Sequence, residues 1–180
     1  MGKETKKVEE KRDLPLVQRS LVVFKPDAVQ RGIVGEILSR FERVGLKIVA
    51  TKMVNPDKDH YYRHYEGIGK MVTRRGELAF SRNLKYMITG PVIAMVFEGV
   101  EAVALIRKIC GPTEPKAADM GTIRGDYAHM SFGYADAKDM GVPNLIHASG
   151  DPEEAELEIA HWFKDEMMQD YHVLSERYTW

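Results

Sequence analysis

Short apolar runs bounded by turn residues recur along the chain, and such runs are typical of buried strands. They occupy residues 20–25, 46–54 and 91–97, and a further strand is expected within the aromatic, glycine-rich stretch 127–143. The first run passes into Lys-Pro-Asp and the second into Asn-Pro-Asp. Because Pro lacks a backbone donor, each of these strands should end in a loop.

Between the runs, apolar side chains recur at helical spacing. Residues 33–44 place five of them on one face, and Gly45 follows as a stop signal. Helices are likewise predicted for residues 58–83 as a hairpin, for 100–110, and for 152–163, which opens with Pro and acidic residues. A long loop is predicted from 112 to 126.

The order β-α-β-(αα)-β-α-β-α favours an α+β fold, a ferredoxin-like (split βαβ) antiparallel sheet covered by helices. A chain of 180 residues without repeats or a linker indicates one domain, here residues 18–180. Residues 1–17 are rich in Lys and Glu and are expected to form a flexible charged tail.

Composition excludes several classes of protein. Hydrophobic residues make up 44% of the chain, which excludes a disordered or fibrous protein. The net charge of -1 gives no general attraction for nucleic acid or for an anionic membrane, and no apolar run reaches membrane-spanning length. The single cysteine, Cys110, cannot form an internal disulfide, and a cytoplasmic location is therefore expected.

The segment Asn-Leu-Ile-His-Ala-Ser at 144–149 carries the clearest chemical signal. His147 follows two aliphatic residues and lies between an amide, Asn144, and a hydroxyl, Ser149. Imidazole has an ordinary pKa of about 6.5, so much of it is neutral and nucleophilic at pH 7. His147 is therefore a candidate nucleophile toward phosphorus or a carbonyl carbon.

Cationic and hydroxyl side chains lie at predicted element ends, where binding sites are commonly built. Lys25 ends a strand, Arg107 lies near a helix end, Thr113 opens the long loop and Arg124 lies near its end. Lys offers a compact charge to phosphate, and Arg offers a fork for two oxygens. With His147 these residues have the ingredients of a polyphosphate site, although neither GxxxxGK[ST] nor GxGxxG is present.

An ordered set of motifs spans most of the chain, from about residue 20 to 170. It comprises KPDAVQRGIVGEIL (25–38), HY (64–65), KYMITGPVIAMVFEG (85–99), GPTEP (111–115), GTIRGD (121–126), NLIHAS (144–149) and AELEIAHWF (155–163). Each motif alone has modest specificity, but the whole set in this order is very hard to obtain by chance. In this ordered set of motifs the chain resembles the nucleoside diphosphate kinases.

The resemblance implies transfer of the γ-phosphoryl group of a nucleoside triphosphate to a diphosphate, with Mg²⁺, in a homo-oligomer that follows double-displacement kinetics. His147 matches the phosphorylated nucleophile. The nucleotide-binding positions of the family match Lys25, Tyr65, Arg107, Thr113, Arg124 and Asn144, and the positions that orient the histidine match Ser149 and Glu158. Among them, Lys25 and Asn144 match the sugar side and Arg107, Thr113 and Arg124 the phosphate clamp.

The chain departs from the family pattern at several positions. Ala148 replaces a more common Gly after the nucleophile, and Gly150 precedes an acid that usually follows the serine directly. The segments 66–80 and 127–143 are longer than usual. The first of them carries the base-stacking aromatic in the family, and Phe80 is the candidate for it here.

Other interpretations compete with this one. His60 and His64 have an i, i+4 spacing that can bind a metal on a helix, although no third ligand is evident nearby. A regulatory protein that binds nucleotides without catalysis is a non-enzymatic alternative. A phosphohistidine enzyme that acts on proteins or on other small phosphates is a second enzymatic one.

Overall fold

The computed structural model describes residues 16–179, except for the side chain of residue 166. A four-stranded antiparallel sheet in the order β2-β3-β1-β4 forms its centre. The strands are β1 (Val17–Phe24), β2 (Lys47–Val54), β3 (Val92–Val100) and β4 (Ile146–Ala148). Because β3 lies between β1 and β2, the first βαβ unit is split, and the predicted ferredoxin-like α+β fold is confirmed.

Helices cover both faces of the sheet. They are α1 (Pro26–Gln30), α2 (Val34–Glu42), α3 (Lys58–Tyr62), α4 (Met71–Arg75), α5 (Glu77–Met87), α6 (Ala102–Cys110), α7 (Ile123–Tyr127), α8 (Phe132–Ala137), α9 (Pro152–Trp162) and α10 (Glu176–Thr179). A π-helical turn, Arg63–Ile68, extends α3, and 3-10 turns occur at Pro115–Ala117 and Asp165–Met167. The helical regions predicted around 33–44, 58–83, 100–110 and 152–163 are therefore present.

Alternation along β1 explains why its second half, residues 21–24, is apolar throughout. Val22 and Phe24 face a core shared with α2 and α6, whereas Leu21 and Val23 face a second core shared with α3, α5 and α9. Since side chains of a strand alternate between faces, the part of a central strand that has helices on both sides is apolar at successive positions. The end of β1 is thus fixed from both faces, and Lys25 follows it directly.

The prediction of a strand within residues 127–143 is wrong. This segment forms α8, and the side chain of Ser131 caps it by accepting a hydrogen bond from the backbone N–H of Tyr134. The fourth strand is instead β4, which pairs with residues 22–24 of β1. At three residues β4 is too short to show a sequence period.

The structure tests two further predictions only in part. The tail predicted for residues 1–17 lies outside them except for Leu16 and Val17, and Val17 already pairs with Val100 in the sheet. The long loop 112–126 contains a 3-10 turn and the first residues of α7. Among the described residues, no helix combines the length and the apolar character that crossing a bilayer would require.

Candidate active site

A cleft of about 630 Å³ opens where β1 and β4 end, between α5, α6 and α9. Every residue predicted to bind substrate contributes to its wall, although they come from six separate stretches of sequence. The predicted residues in the wall are Lys25, Tyr65, Arg107, Thr113, Arg124, Asn144, His147 and Glu158. Ser149, predicted to orient the histidine, lies behind this wall and is fully buried.

His147 lies in β4 with its backbone paired to Val23, and its side chain is 18% exposed. Its Nε2 lies 2.8 Å from Oε1 of Glu158. The other carboxylate oxygen of Glu158 accepts a hydrogen bond of 2.7 Å from the hydroxyl of Ser149. Because an ionised carboxylate can only accept, Nε2 carries the ring proton and Nδ1 keeps its lone pair.

The electrostatic setting keeps His147 neutral. Burial, and then the charge of Lys25, lower the pKa of His147 to about 3. Burial raises the pKa of Glu158, while His64 and Ser149 act in the opposite direction. Among the described residues, Nδ1 of His147 makes no hydrogen bond, so the site presents an unprotonated nucleophilic nitrogen at neutral pH.

The turn into β4 is strained. Leu145 has a φ of 70°, a left-handed conformation that typically costs on the order of 1 kcal/mol in a residue other than Gly. Its backbone N–H donates to the carboxylate of Asp27 at 3.0 Å, and its carbonyl accepts from the N–H of Lys25 at 2.9 Å. Asp27 is held in turn by the hydroxyl of Tyr86. These contacts fix the strand on which His147 lies.

Lys25 and Asn144 form a buried pair. Nζ of Lys25 donates to Oδ1 of Asn144 at 2.7 Å, and Nδ2 of Asn144 donates to the carbonyl of Thr113 at 2.8 Å. Burial, followed by the charge of Arg124, lowers the pKa of Lys25 to about 7. The sequence predicted this proximity through the family motifs, but it could not indicate the direct hydrogen bond.

The two arginines of the predicted clamp differ in their surroundings. The guanidinium of Arg124 is buried and donates to the carbonyls of Asn144, Gly111 and Ile146, at 3.2, 2.5 and 2.6 Å. Arg107 is exposed at the end of α6 and makes no hydrogen bond or ion pair among the described residues. Arg124 therefore supports β4 as well as the cleft, whereas Arg107 is available to a ligand.

Of the aromatic side chains, Tyr65 is placed as predicted and Phe80 is not. The ring of Tyr65 lies 6.0 Å from that of His147 in an edge-on arrangement. Phe80 is 5% exposed, packs against Tyr62 and does not line the cleft, where α5 instead presents Ala79. Phe80 is therefore not the stacking residue. Sequence analysis missed Phe132, a half-buried ring that does line the cleft.

The longer segment 127–143 contacts α4 and α5 at the wall of this cleft. Arg82 of α5 forms ion pairs with Asp136 at 2.6 Å and with Asp139 at 2.8 Å. The guanidinium of Arg75 lies 5.5 Å from the centre of the Phe132 ring. Segment 127–143 thus places the ring of Phe132 in the cleft wall, whereas segment 66–80 contributes Ala79 there and not Phe80.

His60 and His64, the alternative metal pair, do not converge on one point. His60 stacks on His161 with ring centres 4.1 Å apart, whereas His64 lies beside His147 with ring centres 4.5 Å apart. Among the described residues, His64, His147 and Glu158 do have ligand atoms within 4.8 Å of one another. Two ring nitrogens and one oxygen are not the oxygen set that Mg²⁺ prefers.

The cleft fits Mg²⁺ only as an ion carried by substrate phosphates. Besides Asp136, which pairs with Arg82, its remaining acids are Asp151 and Glu154. Asp151 caps α9 through one oxygen, and Glu154 accepts from the N–H of Gly150 at 2.7 Å and pairs with Arg74 at 3.2 Å. Mg²⁺ typically binds through one or two carboxylates together with phosphates, and Asp151 is the acid at the rim that could contribute.

Comparison with known proteins agrees with this geometry. The family described as nucleoside diphosphate kinase matches residues 18–168. The nucleoside diphosphate kinase of Borreliella burgdorferi is 44% identical over 156 residues, which is 87% of this chain and 93% of that protein. The enzyme of Pyrococcus furiosus is 45% identical over 155 residues, 86% of this chain and 88% of that protein.

Solved structures show the same fold. One from Borrelia burgdorferi, a transition-state mimic of nucleoside-diphosphate kinase with bound vanadate and ADP, has a TM-score of 0.87 at 43% identity, over 89% of this chain and 95% of that one. Another, from Halobacterium salinarum in complex with CDP, has a TM-score of 0.77 at 34% identity, over 91% and 98%. The chain belongs to the nucleoside diphosphate kinase family, whose enzymes transfer phosphoryl groups between nucleotides.

Proposed function

We propose that this enzyme transfers the γ-phosphoryl group of a nucleoside triphosphate to a nucleoside diphosphate through a phosphohistidine at His147. The observation that carries the proposal is the 2.8 Å contact between Nε2 of His147 and Glu158. It commits one ring nitrogen to the protein and leaves Nδ1 as the nucleophile. A pKa of about 3 keeps that nitrogen unprotonated.

The chemistry proceeds in two matched halves. Nδ1 of His147 attacks the γ-phosphorus, a P–N bond forms, and the P–O bond to the β-phosphate breaks as the diphosphate leaves. A second diphosphate then attacks the phosphohistidine with a terminal oxygen, and the P–N bond breaks. The proton on Nε2 stays hydrogen-bonded to Glu158 throughout, and Glu158 stabilises the positive charge that develops on the ring.

Positioning and charge neutralisation supply most of the catalysis in phosphoryl transfer. Arg107 and Arg124, with Thr113, are proposed to hold the phosphates. Lys25 and Asn144 are proposed to bind the sugar hydroxyls, which suits a preformed pair with a 2.7 Å hydrogen bond. Mg²⁺, bound through the nucleotide phosphates, would neutralise part of their charge.

The base is proposed to rest against Phe132, because a flat ring offers stacking to every base. This favours weak discrimination among bases. The solved relatives, one with ADP and one with CDP, are in keeping with a family that accepts both purine and pyrimidine nucleotides. Because donor and acceptor would use the same cleft in turn, initial rates should give parallel double-reciprocal lines.

A homo-oligomer in the cytoplasm is the proposed state. Within the described residues β2 pairs on one side only, and Met53 on this edge strand is 60% exposed, which favours self-association. Sedimentation at micromolar concentration should give a species heavier than 20.5 kDa. The single, buried cysteine suits a reducing compartment.

The proposal is tested with γ-labelled ATP and Mg²⁺. Purified protein should take up acid-labile label on His147, release ADP, and lose the label to ADP, GDP, CDP, UDP or dTDP. His147→Ala should take up none while still binding ADP. Label in that variant, or label mapped to His60, His64, His129, His161 or His172, would show that another residue carries the group.

A further inference from the structure

Helix α8, which carries Phe132, is held at both of its ends. At the start, the backbone N–H of Phe132 donates to a carboxylate oxygen of Glu114 at 2.8 Å. At the other end, Arg82 of α5 forms ion pairs with Asp136 at 2.6 Å and with Asp139 at 2.8 Å. A helix of six residues has little stability of its own, so these contacts with its neighbours decide how α8 is oriented.

The turn after α8 fits closely against α5. Asp139 has a φ of 50°, a left-handed conformation that residues other than Gly adopt rarely, and its carboxylate is paired with Arg82. The hydrogen bond from Arg82 lowers the pKa of Asp139, so the pair stays ionised at neutral pH. At Gly141 a Cβ would lie 2.8 Å from the carbonyl oxygen of Arg82 and 2.7 Å from Cβ of Tyr86. The chain comes this close to α5 because residue 141 is Gly.

The side-chain nitrogens of Arg82 are paired with α8 and the turn that follows it. Nε donates to Asp139 and Nη1 to Asp136, while Nη2 donates to the backbone carbonyl of Asp136 at 3.4 Å. The side chain is 13% exposed, although it lines the cleft. A guanidinium with a partner at each nitrogen is suited to holding a neighbouring helix, and not to binding a phosphate with the same donors.

Phe132 and Asp136 lie on the same face of α8, since they are four residues apart, and both line the cleft. When Arg82 holds Asp136, it therefore also fixes the direction in which the Phe132 ring points. We propose that Arg82 is a positioning residue for the nucleotide base, which holds α8 against α5 and thereby keeps the ring of Phe132 in the cleft wall. The proposal rests on the proposed function, in which the base rests against Phe132.

The first test separates nucleotide affinity from the chemical step. Arg82→Ala should weaken ADP affinity about 3- to 10-fold, because it removes two ion pairs that each stabilise the position of α8 modestly. Arg82→Lys keeps the charge but cannot hold both carboxylates in the same geometry, so its affinity should lie between the two. Single-turnover phosphorylation at saturating ATP should stay within about twofold of the wild type in both variants, since the phosphate contacts remain. Arg43→Ala, an exposed arginine outside the cleft, is the matched control.

Two further variants distinguish positioning from direct contact. Asp136→Asn combined with Asp139→Asn removes the partners and frees the guanidinium of Arg82. If Arg82 positions α8, this double variant should weaken ADP binding as Arg82→Ala does. If the guanidinium bound the nucleotide phosphates, ADP binding should become tighter instead. In a Phe132→Ala background, Arg82→Ala should change ADP affinity by less than about twofold, because it acts through that ring.

Tighter ADP binding in the double aspartate variant would overturn the proposal, and so would additive effects of Arg82→Ala and Phe132→Ala. Equal ADP affinity in Arg82→Ala and Arg43→Ala would overturn it as well. Melting temperatures show which variants are folded, and Arg82→Lys with the double aspartate variant decides the question if Arg82→Ala does not fold. Unchanged ADP affinity in Phe132→Ala would overturn both the base contact and this role of Arg82. A wild-type protein that takes up no label would instead overturn the proposed phosphoryl transfer.

Discussion

Nε2 of His147 lies 2.8 Å from Oε1 of Glu158, and this contact decides which ring nitrogen is free to react. The second oxygen of Glu158 accepts from Ser149, so the carboxylate cannot rotate away without losing both bonds. Glu158 is 1% exposed. In this arrangement one helix residue fixes the tautomer and the orientation of a side chain on the neighbouring strand.

Glu158→Gln should slow phosphorylation of His147 while leaving ADP affinity within threefold. The amide can still accept from Nε2, but it no longer stabilises the charge that develops on the ring. A hydrogen bond to a charged group contributes about 1.5–3 kcal/mol, which corresponds to about 10- to 100-fold in rate. Single-turnover kinetics measure this, and Glu156→Gln on the exposed side of α9 is the control. Equal rates in both variants would remove Glu158 from the mechanism.

Arg107→Ala and Arg124→Ala should differ in stability although both lose turnover. Each should lower turnover by about 10²–10³, as loss of one preorganised donor does. Arg124 also holds three backbone carbonyls, so its loss should reduce the free energy of unfolding by roughly 2–4 kcal/mol, whereas Arg107→Ala should leave it within about 0.5 kcal/mol. Urea unfolding with turnover assays measures both. Turnover that falls less than threefold in both variants would place the clamp elsewhere.

Protonation of His147 should add no inflection to the phosphorylation rate near pH 6.5, whereas Lys25, whose pKa is lowered to about 7, gains its charge in this range. The pKa of His147 is lowered to about 3, so the nucleophile stays unprotonated from pH 8 down to about 5. The same lowering means that the unfolded chain binds more protons than the folded one between about pH 6.5 and 3, so stability should fall as the pH is lowered through this window. Burial also lowers the pKa of His60 to about 4, and lowers those of His64 and His161, which adds to the loss.

Single-turnover phosphorylation and urea unfolding at pH 7.5, 6.5 and 5.5 measure these two effects. His60→Phe keeps an aromatic ring but removes one titrating group, and it should flatten the dependence of unfolding on pH. A tenfold fall in the phosphorylation rate between pH 7.5 and 5.5, without loss of fold, would contradict a neutral His147.

Phe132→Ala should raise the KM for nucleotides by about 10-fold or more, because stacking of a base on an aromatic ring contributes about 1–3 kcal/mol. Turnover at saturation should change little, since the phosphates keep their contacts. Phe80→Leu is the matched control, because Phe80 packs in the interior against Tyr62. If Phe80→Leu raised KM and Phe132→Ala did not, the base would lie on the α5 side.

The sequence pattern predicted the strands and helices in which apolar residues recur at a regular spacing. It missed those that depend on tertiary contacts. The apolar run of β1 and the helical spacing of α2 are long enough to indicate their structures. β4 has three residues and exists because Leu145 adopts a strained turn held by Asp27, which no local pattern records. The candidate nucleophile was therefore identified through its motif, whereas the strand that carries it was not predicted.

For the same reason, the sequence could not show which of Phe80 and Phe132 lines the cleft. Both are aromatic residues near the longer segments, and only the direction in which α5 presents its side chains shows that Phe80 points into the core. Motifs located the groups that are proposed to bind phosphate, but burial and hydrogen-bond partners were needed to locate the other residues of the cleft.

The central claim is that Nδ1 of His147 carries the phosphoryl group, and the most direct measurement identifies the phosphorylated nitrogen. Protein with ¹⁵N-labelled histidine is phosphorylated by ATP with Mg²⁺, and the phosphorus–nitrogen coupling is assigned within the peptide that contains His147. The account predicts a single phosphohistidine, bonded through Nδ1, that disappears when ADP is added. A phosphoryl group on Nε2, or on any other histidine, would contradict it.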